Sequence, residues 1–218
     1  MKKKMILLFI CLIMLALGFK KTNNYSLPLL GKLIVIDPGH GGKDPGTMYK
    51  NIYEKDLVLA ISLYLEKELN EKGASTILTR SGDYDLSKPN ASYRKKSDFD
   101  NRIKIINENN PDLYLSIHLN YLHLSQYYGG QIFYNQKFSN NYKLAVKLQD
   151  SFNHYLKSSR EIKYIPESNY MYEKLTTTGV LIECGFLSNP GERGKLVTAT
   201  YQQKIAEVIV KGIINYYD

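Results

Sequence analysis

Residues 35–42 read "VIDPGHGG" (Val35–Gly42). Together with the preceding Leu33 and Ile34 they form a continuous apolar run that ends abruptly in a proline, three glycines and one histidine. A short apolar run bounded by turn residues predicts an interior strand over Leu33–Ile36, buried on both faces. A histidine on a glycine-rich turn has little side-chain packing of its own. It sits where loops carry ligands and catalysts, not where cores are built.

Outward from this strand the chain alternates between two periods. Glu54–Lys72 places Leu57, Ile61, Tyr64, Leu65 and Leu69 along one side of a helix, and Gly73 is a helix stop. Ser75–Thr79 predicts a strand, Asp98–Asn109 a helix closed by Pro111, and Asp112–His118 a strand. Gly129–Asn135 predicts another strand, Asn140–Leu156 a helix, Gly179–Phe186 an apolar strand and Thr200–Tyr217 a last helix. Strands alternating with helices imply an α/β fold: a single domain with a mostly parallel, twisted sheet of about six strands and helices on both faces. Such sheets collect functional groups beyond the carboxyl ends of their strands.

Composition narrows the function classes. The 218 residues are 44% hydrophobic and 23% charged, ordinary for one globular domain. The formal charge of +8 is concentrated at the start, where residues 1–21 hold five lysines and no acid. The remaining charge is modest, which argues against nucleic-acid binding. The opening "MKKKMILLFICLIMLALGFKK" has a lysine cluster and then an apolar run from Met5 to Phe19, predicting an export signal or signal anchor over residues 1–21. No small-residue cleavage motif follows, and Cys11 lacks the small residues that precede a lipidated cysteine. An uncleaved or inefficiently cleaved export anchor is therefore expected, leaving the protein membrane-anchored by residues 5–19 or secreted. Residues 22–30 read as a polar linker and 31–218 as the catalytic domain. Beyond Cys11 there is only Cys184, so neither a disulfide nor a cysteine-based zinc site is available to the domain.

Three predicted strand or helix ends carry groups suited to a hydrolytic metal site. His40 follows the first strand, Glu54 opens the first long helix, and His118 ends "LYLSIH". Two imidazoles and a carboxylate are a common three-ligand set that leaves one position open for water. Each also has a plainer reading. Glu54 suits a helix start through the helix dipole alone, and His118 could be a hydrogen-bonded core histidine. Ser116 and Asn120 flank His118 on the same strand face and could orient its ring or a substrate. His123 and His154 read as surface or packing residues. Glu183 interrupts the apolar "VLIECGF". A buried carboxylate needs a cation or a raised pKa, which suits a general base beside a metal site. An ion pair with Arg80, Arg94 or Arg102 would satisfy it equally. No HExxH, GxSxG or P-loop pattern is present. "GHGGKDPG" could cradle a phosphate, but that leaves the histidine unexplained.

"IVIDPGHGGKDPGT" (Ile34–Thr47), "EKDLVL" (Glu54–Leu59), "LYLSIHLN" (Leu113–Asn120) and "VLIECGFLSNP" (Val180–Pro190) together resemble the four signature segments of the zinc-dependent N-acetylmuramoyl-L-alanine amidases of the amidase-3 type. The likeness spans about Gly31 to Tyr217. It implies that His40, Glu54 and His118 bind Zn²⁺ and that Glu183 is catalytic. It further implies hydrolysis of the amide between the lactyl group of N-acetylmuramic acid and L-alanine in peptidoglycan. Within the family, "SLPLLGK" (Ser26–Lys32) and "YRKKSD" (Tyr93–Asp98) are similar to the germination-specific, spore-cortex subgroup. That likeness implies a role in forming muramic δ-lactam, an extracytoplasmic location and a place in the forespore envelope. Another zinc-dependent cell-wall peptidase or carboxypeptidase, and a non-catalytic glycan-binding module, are the alternatives. Tyr121–Tyr128, "YLHLSQYY", is aromatic for a loop next to a site. It suits sugar stacking, ordinary loop packing, or a docking patch for an exported accessory protein.

Overall fold

A computed structural model describes residues 26–166 and 168–218. The expected export segment at residues 1–21, and residues 22–25 of the expected linker, lie outside the described residues. Chain packing is already established at Leu29, which is fully buried in the main core and whose N–H donates to the Lys72 carbonyl at 3.0 Å. Among the described residues no helix is long and apolar enough to cross a membrane.

The sheet is built from β1 (Leu33–Pro38), β4 (Ser75–Leu78), β5 (Leu113–Asn120), β6 (Gln131–Tyr134), β7 (Lys163–Tyr164) and β8 (Gly179–Phe186), in the order β4-β1-β5-β8-β6-β7. β4, β1, β5 and β8 are mutually parallel, whereas β6 runs antiparallel to β8 and pairs in parallel with β7. This is the expected mostly parallel, six-stranded sheet, carrying a mixed edge. A separate short hairpin, β2 (Met48–Tyr49) with β3 (Ile52–Tyr53), leads into the first long helix.

Strand periodicity divides the side chains between two cores. On one face Ile34 and Ile36 of β1, Leu113, Leu115, Ile117 and Leu119 of β5, and Val180, Ile182 and Cys184 of β8 form the larger cluster. Three long helices cover it: α1 (Glu54–Glu71), α3 (Ser139–Ser151) and α6 (Ala199–Tyr217). On the other face Val35 and Tyr114 meet Ile103 and Ile106 of α2 (Arg94–Glu108) and Met171 and Tyr172 of α4 (Tyr170–Lys174). Helices therefore cover both faces, as the alternating pattern predicts.

The differences from the predicted elements have local causes. α2 starts at Arg94, four residues before Asp98, because its first turn is polar and shows no apolar period. α3 continues into a π-helical turn, Phe152–Leu156, that stops at Lys157 with φ +58°. The hairpin, β7, α4 and α5 (Pro190–Leu196) are two to seven residues long, too short to show a period. α5 still carries a local signal. Pro190 opens it, and the Asn189 side chain accepts a hydrogen bond from the Glu192 N–H at 3.0 Å.

The second face matters for function. Asp37 follows Val35 by two residues, Ser116 and His118 follow Tyr114 by two and four, and Glu183 lies two beyond Leu181. In the β5–β8 register His118 is paired directly with Glu183. β1 ends alongside them, with the Gly39 N–H donating to the Ile117 carbonyl at 2.9 Å. The polar residues of three parallel strands thus converge where the strands end.

Candidate metal centre

The loop after β1 is held by its carbonyl groups. Arg80 donates from Nε to the Pro38 carbonyl (3.0 Å) and from Nη2 to that of Gly39 (2.7 Å). Arg102 donates from Nη1 to the Pro38 carbonyl (2.7 Å) and from Nη2 to that of His40 (2.6 Å). Both guanidinium groups are buried, so three consecutive carbonyls are fixed by groups that cannot easily exchange with water. His40 adopts φ +60°, an uncommon backbone for a non-glycine residue, and this clamp holds it there.

Two glycines leave room for the site. A Cβ on Gly39 would lie 2.3 Å from Cε1 of His118, and one on Gly46 would lie 2.6 Å from Oε2 of Glu54. Gly39 and Gly46 therefore let backbone pack directly against the side chains of His118 and Glu54.

Glu54, His40 and His118 come together as a cluster. The Glu54 carboxylate is nearly fully buried; Oε2 lies 3.2 Å from His40 Nε2 and Oε1 lies 3.1 Å from His118 Nδ1. The N–H groups of Thr47 (2.7 Å, to Oε2) and Leu119 (2.9 Å, to Oε1) donate to the same carboxylate and fix its plane. His40 Nδ1 pairs at 2.9 Å with Asp44 Oδ2, and Asp44 Oδ1 accepts the Gly46 N–H at 3.1 Å. One ligand-capable atom from each of the three residues lies within 4.8 Å of the others.

A divalent cation fits this donor set. Donors around a tetrahedral zinc are about 3.4 Å apart, close to the observed His–Glu spacings. Asp44 fixes the orientation of the His40 ring so that Nε2 faces the cluster. The electrostatics agree. Burial opposes charge on Glu54, but its hydrogen bonds to His118 and His40 outweigh that and hold its carboxyl far below the usual range. Burial likewise disfavours the His40 imidazolium, yet hydrogen bonds to Asp44 and Glu54 raise it to about 9. The cluster therefore attracts positive charge, which a metal ion can supply in place of protons.

Glu183 faces the same space. Its Oε2 is buried and has no hydrogen-bond partner among the described residues. Burial, and then the nearby charge of Glu54, push its carboxyl up to about 8. The alternative of an ion pair with Arg80, Arg94 or Arg102 does not hold. Arg80 serves backbone carbonyls, Arg94 pairs with Asp85, and Arg102 pairs with Asp37 and Asp98.

Two depressions meet at these residues. A cleft of about 400 Å³ is lined by Phe99, Tyr170 and Leu181 as well as His40, His118 and Glu183. A more open groove, of about 450 Å³, adds Thr47, Asn120 and Tyr121 to the same three residues. Tyr121, Leu122, Leu124 and Tyr128 are exposed, while Tyr127 approaches Phe186. His123 and His154 are exposed and stay outside the cluster.

Ser116 does not orient His118. Its hydroxyl donates to Asp37 Oδ2 at 3.0 Å and accepts from the Tyr172 hydroxyl at 3.3 Å. Asp37, also bonded by Thr79 (2.6 Å) and Arg102 (2.7 Å), is the hub beneath the loop. Sequence reasoning missed Asp37 and Asp44 as supporting groups. Asp44 had a readable signal, a carboxylate four residues after His40 in a tight loop. Asp37 had a weaker one, an acid at the end of an apolar strand.

A family model described as N-acetylmuramoyl-L-alanine amidase matches residues 34–215. The germination-specific N-acetylmuramoyl-L-alanine amidase of Bacillus subtilis (strain 168) is 41% identical over 197 residues, 88% of this chain and 83% of that protein. The CwlD amidase from Clostridioides difficile, solved in complex with the GerS lipoprotein, superposes with a TM-score of 0.81 at 37% identity, covering 85% of this chain and 98% of that one. An N-acetylmuramoyl-L-alanine amidase from Clostridium difficile 630 gives a TM-score of 0.75 at 32% identity, covering 85% and 96%.

Two outcomes are expected from this geometry. Arg102→Ala strands the buried Asp37 and Asp98 carboxylates and should cost about 3–5 kcal/mol of stability. Urea denaturation measures this, and a loss below about 1 kcal/mol would mean that the clamp is dispensable. The second concerns pH. An unfolded glutamate ionises near its ordinary 4.5, whereas Glu183 is raised to about 8. Between those values the folded state holds the extra proton, so this residue's contribution to stability declines as pH rises. In chelator-treated protein, Glu183→Gln should therefore match the unaltered chain at pH 4.5 and exceed it in melting temperature by pH 8. An equal offset at both pH values would count against a raised Glu183.

Proposed function

The chain belongs to the N-acetylmuramoyl-L-alanine amidase family (Amidase_3) and hydrolyses the muramoyl–alanine amide of peptidoglycan, and on that premise we propose that His40, Glu54 and His118 hold a zinc ion while Glu183 moves the protons of the reaction. The observation that carries this reading is the juxtaposition of the three donors with the unpartnered Oε2 of Glu183. When bound, zinc polarises the amide carbonyl and lowers the pKa of water toward about 7.

The chain's own residues account for the rest. Glu54 and the two histidines bring donors of mixed charge to one point, and Asp44 holds His40 in the productive tautomer. A cation in the cluster offsets the charge of Glu54 and favours the Glu183 carboxylate. Glu183 then accepts a proton from the attacking water and delivers it to the alanine nitrogen as the C–N bond breaks. The products are a free lactyl carboxylate and a free amine. Phe99, Tyr170 and Leu181 give the cleft an apolar lining beside the reacting groups.

Acting on peptidoglycan places the enzyme outside the cytoplasm. We assign residues 1–21 as its export signal or anchor, 22–30 as the linker and 31–218 as the catalytic domain. The likeness to a germination-specific amidase supports a role in the spore cortex, where the freed carboxylate would enter the muramic δ-lactam. A similar amidase is solved with a lipoprotein bound. That supports an exported accessory protein docking on this domain, and the exposed Tyr121, Leu122, Leu124 and Tyr128 offer an apolar surface for it.

His40→Ala, Glu54→Ala and His118→Ala should each lower bound zinc and activity together. Glu183→Gln should retain zinc and lose about 10²–10⁴-fold in rate. Metal analysis and muropeptide mass spectrometry on the same preparations check this, and loss of zinc in Glu183→Gln would instead make that residue a ligand. For the accessory protein, pull-down from sporulating cells should recover an exported protein whose capture is lost in Leu124→Asp. Unaltered capture by that variant would move the docking surface elsewhere.

A further inference from the structure

We propose that Lys95 is a specificity residue, reading the free carboxylate carried by the second residue of the peptide whose bond to muramic acid is cut. The inference rests on the amidase reading and identifies which form of the peptide the cleft prefers.

α2 presents Lys95, Phe99 and Arg102 to the cleft, spaced by four and then three residues along one helix face. They grade from rim to floor. Arg102 is buried, and its donors are used by Asp37, Asp98 and the carbonyls of Pro38 and His40. Four of its five N–H donors are thereby engaged, and its burial keeps it from the rim where a ligand enters. Phe99 supplies an apolar wall, with the Lys95 ammonium 5.0 Å from its ring centroid. Lys95 is the remaining cation of this wall among the described residues, and its side chain is 53% exposed.

Its placement relative to the reacting groups is defined. Lys95 Nζ contacts Asp44 Oδ2, the same oxygen that pairs with His40 Nδ1. The ammonium therefore lies two hydrogen bonds from the donor cluster. Two extended peptide residues span about 7 Å, so a peptide held with its first amide at the cluster and running along the cleft toward α2 would bring its second residue level with Lys95. An ammonium has three N–H donors and Asp44 takes one of them. The others point to an anion. Neighbouring Lys43 lines the adjoining groove, where Arg94 is tied to Asp85 and Asp98 pairs with Arg102. Of the two carboxylates in the described cleft lining, Asp37 is enclosed by Thr79, Arg102 and Ser116, and Glu183 is buried and assigned above to proton transfer.

A plainer role is that Lys95 steadies Asp44, and through it His40. The two roles predict different kinetics. Two muropeptide substrates are compared, one with γ-linked D-glutamate at the second position and the other with its α-amide. The zinc-loaded, unaltered enzyme should favour the carboxylate form by about tenfold in kcat/KM, expressed in KM. Lys95→Gln should bring the ratio of the two to within about twofold of one, and Lys95→Arg should keep most of the preference. Equal rates for the unaltered enzyme on both substrates would overturn the assignment and leave the amidase reading intact. So would a Lys95→Gln variant that slows both substrates alike, which is the signature of a positioning role. Cleavage of neither substrate at the muramoyl–alanine bond would overturn both readings.

Discussion

The site depends on a clamp between two buried guanidinium groups and three consecutive carbonyls. Arg80 and Arg102 hold the backbone of Pro38, Gly39 and His40 from below. Buried arginines are costly unless every donor is met. Here backbone carbonyls, three of them at the end of β1 and in the loop after it, meet most of them. Asp37 and Asp98 neutralise Arg102. The same contacts solve two problems at once: they stabilise a left-handed histidine backbone and they satisfy buried charge. Helix α2, strand β4 and the end of β1 are thereby joined beneath one functional loop.

Above that clamp the charge balance shifts toward binding a cation. Glu54, Asp44 and Glu183 converge on two histidines. The geometry forces the Glu54 carboxylate to bridge both rings. Glu183 is left out of this network, raised by burial and by Glu54. Two carboxylates near one point thus have opposite tendencies, one strongly acidic and one reluctant to ionise. That split is what separates a group that holds charge from a group that transfers protons. It follows from position: Glu54 sits at the start of a helix among backbone N–H donors, and Glu183 sits mid-strand with none.

The shape around the cluster suits a branched polymer. An open groove carrying Tyr121 and a more enclosed cleft carrying Phe99, Tyr170 and Leu181 meet at the same three polar residues. A bond at the junction of a sugar and a peptide requires two such approaches from different directions. The parallel sheet provides them, because its carboxyl edge is flanked by loops from both layers of helices.

Much of this was legible from the chain alone. Continuous apolar runs at β1, β5 and β8 and helical periods at α1 and α6 specify a layered α/β fold, because burial imposes those periods directly. The resemblance carried by four separated motifs pointed to His40, Glu54, His118 and Glu183, and the structure brings these four side chains to one place. Helix α4, the short hairpin and β7 were not legible; elements of two to five residues are stabilised by their neighbours and not by their own pattern. Nor were the destinations of Arg80 and Arg102, or the diversion of Ser116 to Asp37. Sequence spacing states which residues share a strand face, but a guanidinium reaches across the fold to whichever acceptors the backbone leaves unpaired. Only the tertiary structure determined that those acceptors were the carbonyls of the histidine loop, which left Glu183 without an ionic partner and open to the cleft.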